Sequence, residues 1–214
     1  MALKYIEDIY DDWGGKSIAV VCSGKPSRKY GKEIDSHDIV IRFNDAVTTG
    51  YEDYVGTKKI VQTVVNMEYV YDILFKNKPE YTQEKIFVFN QKTVKEPLPD
   101  NVYTYKSKFR HTTDQKLGIY KPSSGCILMS TLWRAKLKAD VYNCDFGKSG
   151  YYYPPTIEFI NLLKKRSLSK YERRKDKIDN VHNANFYADK TQTRHDFPLE
   201  EKVMTGLKWH TFRR

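Results

Sequence analysis

Short, almost uninterrupted runs of apolar and β-branched residues recur along the chain and limit what it can become. They are SIAVVCSG (Ser17–Gly24), DIVIRFN (Asp38–Asn44), KKIVQTVVN (Lys58–Asn66), KIFVFN (Lys85–Asn90) and ADVYNCDF (Ala139–Phe146), with NVYTYK from Asn101 a weaker instance. A strand with one wet face alternates apolar and polar residues; near-continuous runs read as strands covered on both faces, as in a parallel sheet. Parallel neighbours need crossover connections, and helical patterns lie between several runs: MEYVYDILFKN from Met67 and SGCILMSTLWRAKLK from Ser124. The second closes on Lys136 and Lys138, cations suited to a helix C-terminus. The expectation is an α/β architecture, a mainly parallel central sheet flanked by helices. With 214 residues, no repeat and no linker, it is read as one domain over residues 1–214.

The stretch KPSSGCILMS (Lys121–Ser130) sets a proline, two serines and a glycine at the mouth of the middle helix. Ser123 or Ser124 can cap the first free backbone N–H groups. The same amides and hydroxyls can instead hold an anion, with Gly125 letting it approach the backbone. The residues alone leave both open, capping being the commoner.

A net charge of +10 gives the molecule a field that attracts anions: nucleic acid, acidic lipid or a negatively charged small substrate. Much of it lies in TIEFINLLKKRSLSKYERRKDK (Thr156–Lys177), which starts amphipathic and ends basic. As a functional element this segment would be a nucleic-acid-binding surface with Tyr171 for stacking; as a plain one, a solvated helix face. Cys22, Cys126 and Cys144 form no CxxC pair, which argues against a cysteine metal site and fits a reducing compartment, with each thiol a small buried hydrophobe. No run reaches the length of a membrane span, and the N-terminus has acids where a signal peptide has an apolar stretch.

CSGKPSRKYG, after the first run, matches neither a P-loop nor GxGxxG, yet Ser23 and Gly24 fall where open parallel sheets bind ligands, at a strand's carboxyl end. Asp35, His37 and Asp38 cluster before the second run, and Arg42 and Asn44 end it. Turn capping and a local ion pair are the plain alternatives.

These stretches taken together resemble glycosyltransferase family 29, the eukaryotic-type sialyltransferases. Ser17–Lys59, through AVVCSG and EIDSHDIVIRFNDAVTTGYEDYVGTK, is similar to the family's large sialylmotif; PSSGCILMSTLWRAKLKADVY (Pro122–Tyr142) resembles the small one. HDFPLE (His195–Glu200) matches the very short H-x4-E motif, and FYAD (Phe186–Asp189) resembles a degenerate third motif, for which YYYP (Tyr151–Pro154) is the rival location. The order is the family's, and the motifs span most of the chain.

The resemblance implies a Rossmann-like variant of the GT-A fold and inverting transfer of sialic acid from CMP-sialic acid to a glycan hydroxyl. It implies no metal and no cofactor beyond the CMP-sugar co-substrate, with the donor and a glycan acceptor as partners and no nucleic acid. By position, His195 is the candidate general base. Ser23, Gly24, Asn44, Ser123, Ser124, Gly125, His182, Tyr187 and Glu200 are the candidate substrate-binding residues, Glu200 serving to orient the His195 ring or to cap the following helix. Ser23 stands where many members carry asparagine, and Phe186 where they carry His or Tyr. The disulfide common in the family would need cysteines where this chain has Ile18 and, approximately, Lys136. That implies a cytoplasmic protein, with peripheral association at a membrane surface left open, and not a Golgi-anchored one. The rival readings are transfer of another CMP-activated acidic sugar of the Kdo type, a basic nucleic-acid-binding module, and a donor-binding protein without catalysis.

Overall fold

The computed structural model describes residues 4–43, 47–64, 85–88, 100–105, 117–119, 122–149 and 196–213. Among the described residues seven strands form one sheet: β1 (Ile18–Val21), β2 (Ile39–Phe43), β3 (Val61–Val64), β4 (Lys85–Val88), β5 (Val102–Thr104), β6 (Asp140–Tyr142) and β7 (Thr211–Arg213). Their order is β5-β4-β3-β2-β1-β6-β7, and every adjacent pair is parallel. The weak run at Asn101 is a strand, and β7 adds an edge that the sequence pattern does not announce.

Both faces of the sheet are covered, which explains the continuous apolar runs. In β1, Ile18 and Val20 face one layer and Ala19 and Val21 the other, as a two-residue period requires. The smaller layer is α1 (Gly31–Asp35) and α2 (Glu52–Val55), which bury Ile34 and Val55 against Ala19, Val21, Val40 and Tyr142. The larger holds α3 (Ser124–Arg134) and α4 (Phe197–Gly206), whose Ile127, Leu128, Leu132 and Met204 meet Val20, Ile41, Phe43 and Val141. Fully burying an aliphatic side chain of this kind contributes about 1.5–3 kcal/mol. The N-terminal segment belongs to this layer too. Its two 3-10 turns, Ile6–Ile9 and Asp11–Trp13, bury Ile6 and Trp13, and Trp13 stacks on Phe87 at 5.9 Å between ring centres.

The middle helix stops at Arg134, short of the Lys138 suggested by the sequence pattern. Lys136 turns left-handed (φ 59°), its N–H reaches the Trp133 carbonyl, and the Leu137 N–H reaches that of Leu132 at 2.9 Å. Those two bonds satisfy the last carbonyls and end the helix. Among the described residues no helix is long and apolar enough to cross a membrane.

The strand order sets the position of the site. From β1 the chain steps outward through β2, β3, β4 and β5, then returns through α3 to place β6 on the other side of β1. The β1/β6 boundary is therefore a topological switch point, where an open parallel sheet leaves a crevice beyond its carboxyl ends. A crossover helix runs against the strands, so the mouth of α3 opens at this same edge.

Candidate functional site at the carboxyl edge of the sheet

Ser123 is the residue that caps α3. Its backbone is extended (φ −66°, ψ 161°), its Oγ accepts from the Cys126 N–H at 3.2 Å, and its carbonyl accepts from Ile127 at 2.9 Å. Capping alone does not exhaust the stretch. The Ser123 N–H donates to Glu200 Oε1 at 2.7 Å, and the Ser123 hydroxyl donates to Glu200 Oε2 at 2.5 Å. Glu200 is 1% exposed, in the first turn of α4. Glu200 is not that helix's cap: Asp196 is, accepting from the Leu199 N–H at 3.1 Å. A buried carboxylate thus fastens the mouths of two helices together. Ser124 and Gly125 are half-buried, and neither amide donates to another described residue. Leading N–H groups of a helix have no intrahelical acceptor, so these two retain donor capacity toward an anion. Gly125 also faces the end of β2, where a Cβ on it would come 3.9 Å from the Phe43 ring.

The β1 and β6 ends meet at the switch point. Cys22 N–H donates to the Tyr142 carbonyl at 2.9 Å and Gly24 N–H to the Asn143 carbonyl at 3.1 Å. A Cβ on Gly24 would lie 2.5 Å from that carbonyl oxygen and 2.8 Å from the Asp145 carboxylate, so only glycine lets the two loops close. Asp145 organises the β6 loop. It accepts from Gly147 N–H at 3.0 Å, from Ser149 N–H at 2.7 Å and from the Ser149 hydroxyl, while Lys25 N–H donates to Ser149 Oγ at 2.9 Å. Ser23 is half-buried between these loops. Cys22 and Cys144 are half-buried, unlike the buried Cys126. Interaction with Cys144, burial and the nearby Asp145 charge push the Cys22 thiol well above the usual thiol range.

Asn143 is the residue that sequence reasoning missed. It is 8% exposed, has a left-handed backbone (φ 54°), and its Nδ2 has no hydrogen-bond partner among the described residues. A signal was available: it closes the run ADVYN as Asn44 closes DIVIRFN.

The polar cluster before β2 is scaffolding. Asp35 accepts from the N–H groups of Thr57 and Lys58 at 2.9 Å and from the Thr57 hydroxyl at 3.0 Å, beside Arg42 at 4.0 Å. Arg42, 1% exposed, donates to the carbonyls of Lys58 and Val55 at 2.9 and 2.7 Å. His37 sits between the Glu33 carbonyl (2.9 Å) and the Asp140 carboxylate (3.2 Å), and Asp38 accepts from Ser17 N–H and Oγ at 2.8 Å. These bonds tie together the segments that lead into β1, β2, β3 and β6, at the amino ends of those strands.

The structure therefore brings Ser23, Gly24, Ser123, Ser124, Gly125 and Glu200 to one edge of the sheet. Asn44, His182, Tyr187 and His195 lie outside the described residues, as do both locations of the third motif and the basic segment Thr156–Lys177. Among the described residues no group of three or more His, Cys, Asp or Glu side chains is placed to hold a metal ion.

Comparison with known proteins agrees with this picture. Residues 17–112 match the family model for glycosyltransferase family 29 (sialyltransferase). Rat beta-galactoside alpha-2,6-sialyltransferase 2 is 49% identical over 53 residues, 24% of this chain and 10% of the relative. Mouse beta-galactoside alpha-2,6-sialyltransferase 1 is 27% identical over 118 residues, 51% of this chain and 29% of the relative. The chain thus matches less than a third of either relative's length. A mammalian sialyltransferase crystallised with Gal-beta-1-3GalNAc-ortho-nitrophenol shares the fold, with a TM-score of 0.55 at 18% identity over 92% of this chain and 69% of that one. The chain thus carries, over residues 17–112, the part that matches glycosyltransferase family 29 (sialyltransferase), on a fold similar to that of a mammalian sialyltransferase.

Proposed function

We propose that this chain is a single-domain sialyltransferase on a Rossmann-like GT-A variant, moving sialic acid from CMP-sialic acid to a glycan hydroxyl with inversion and without a metal. The observation that carries the reading is the Ser123–Glu200 junction, which supports a donor phosphate and a catalytic base sharing one cleft. Glu200 lies one turn, about 6 Å of helix rise, beyond Asp196, and His195 is bonded to Asp196.

In this mechanism the Ser124 and Gly125 amides take the phosphate of the donor. The acceptor hydroxyl attacks the anomeric carbon from the opposite face and passes its proton to the His195 imidazole. The glycosidic C–O bond breaks, and its electron pair leaves with CMP. Negative charge grows on the phosphate as that bond breaks, so amides at a helix start, fixed in advance by Ser123 and Glu200, stabilise the transition state more than the ground state. An imidazole suits the base because it titrates near neutrality. Asn44, Ser23, His182 and Tyr187 complete the donor site in this reading, and the net charge of +10 gathers an anionic donor. The absence of cysteine at Ile18 and Lys136 supports a cytoplasmic setting.

The test is CMP release and product mass with CMP-sialic acid, beginning with β-galactoside acceptors because the curated relatives carry that substrate in their names. A CMP-Kdo arm separates the other acidic sugar. His195→Ala is expected to lower turnover by about a hundredfold or more while CMP affinity stays within about twofold. Unchanged turnover removes His195 from the base role, and no transfer from either donor refutes the reading.

A further inference from the structure

We propose that Asn143 reads the pyrimidine base of the bound nucleotide through its side-chain amide, an inference that rests on the nucleotide-donor reading above. Asparagine is one of the few side chains that tolerate its left-handed backbone, but that conformation does not account for burial of the amide. A carboxamide that is 8% exposed with an unpartnered Nδ2 is unfavourable in the free protein, because buried donors are nearly always satisfied. The position suits a ligand. Asn143 follows β6 directly, at the β1/β6 switch point, where ligands of open parallel sheets bind. Its backbone is held by the Gly24 N–H at 3.1 Å, and the preceding Tyr142 carbonyl by the Cys22 N–H at 2.9 Å, so the amide is presented from a fixed frame.

The surroundings select which part of the ligand it meets. The Asp145 carboxylate adjoins Gly24 as the Asn143 carbonyl does, and a carboxylate there disfavours a second anion. The phosphate is already provided for at the α3 mouth. The partner that remains for a neutral N–H donor is a neutral acceptor of the nucleoside, and a pyrimidine carries a carbonyl oxygen that fits.

The test is calorimetric titration of CMP and of ribose 5-phosphate into the full chain and two variants. Asn143→Gly keeps the left-handed backbone and the carbonyl that Gly24 uses; Asn143→Asp keeps the shape and replaces the donor by an acceptor. Both are expected to weaken CMP binding about three- to tenfold and to leave ribose 5-phosphate within twofold. CMP affinity unchanged in both variants overturns the proposal, and so does an equal loss for ribose 5-phosphate, which would move the contact to the sugar or phosphate. Wild-type protein that binds no CMP overturns the nucleotide reading itself, and this inference with it. A thermal melt of each variant separates lost binding from lost folding.

Discussion

Replacing Glu200 by alanine tests the junction on which the site depends. The wild-type carboxylate accepts from the Ser123 N–H at 2.7 Å and from its hydroxyl at 2.5 Å, in a setting 1% exposed. Hydrogen bonds to a charged group contribute about 1.5–3 kcal/mol each. Ser123 is half-buried, so water reaches its freed donors and recovers part of that loss. A net destabilisation of about 2–4 kcal/mol follows. In a chain of 214 residues each kcal/mol moves the melting temperature by about 2–4 °C, so the midpoint should fall by about 5–15 °C. Glu200→Gln keeps one acceptor oxygen for the Ser123 N–H, and the expected loss is nearer 1 kcal/mol. Thermal and urea denaturation of Glu200→Ala, Ser123→Ala and the double variant close a double-mutant cycle. Two residues in direct contact should show a coupling of at least about 1 kcal/mol. The same variants should bind CMP less tightly, because the α3 mouth loses its fixed position. A shift below about 2 °C in Glu200→Ala, or strictly additive losses in the double variant, would refute the argument.

Other residues give independent checks. Gly24→Ala places a methyl 2.5 Å from the Asn143 carbonyl oxygen and should cost about 1–3 kcal/mol by prising the β1 and β6 loops apart. Gly206→Ala, with nothing within 4 Å, should be neutral or slightly stabilising, and equal melting temperatures for the two would contradict the packing argument. His210 is buried, accepts from the Ala139 N–H at 3.2 Å through Nδ1 and donates from Nε2 to the Met129 carbonyl at 2.8 Å. Burial lowers its pKa, opposed in part by that carbonyl. The folded state then binds fewer protons than the unfolded one. Its contribution is fully present above about pH 6.5, the unfolded value, and is lost as the pH falls through the folded one. Denaturation midpoints between pH 7.5 and 5.5 should therefore fall less steeply in His210→Gln; an identical slope would exclude this group.

Continuous apolar runs are a local record of double-sided burial, so Val20, Ile41 and Val141 announced a parallel sheet before any contact was known. Ser123 and Ser124 both read as caps from their place before an apolar helical run; Ser123 is the one that caps, a role that uses only neighbouring backbone. Glu200 was legible as part of a motif but not in its role. Its partner lies 77 residues away in sequence, and a hydrogen bond between two helix mouths leaves no periodic trace. His37, Asp35 and Arg42 read equally well as chemistry or as scaffold until their partners on other elements were in place.

Contiguous residues announced the class of fold, the helix mouth beside its serines and the stretch 17–112 that matches the family model, because each is local. Tertiary structure alone decided that β6 lies beside β1, that Glu200 closes on Ser123, and that Asn143 is buried with an amide nitrogen left over. Those outcomes depend on which distant surfaces meet, and chain connectivity does not encode that meeting in any one stretch.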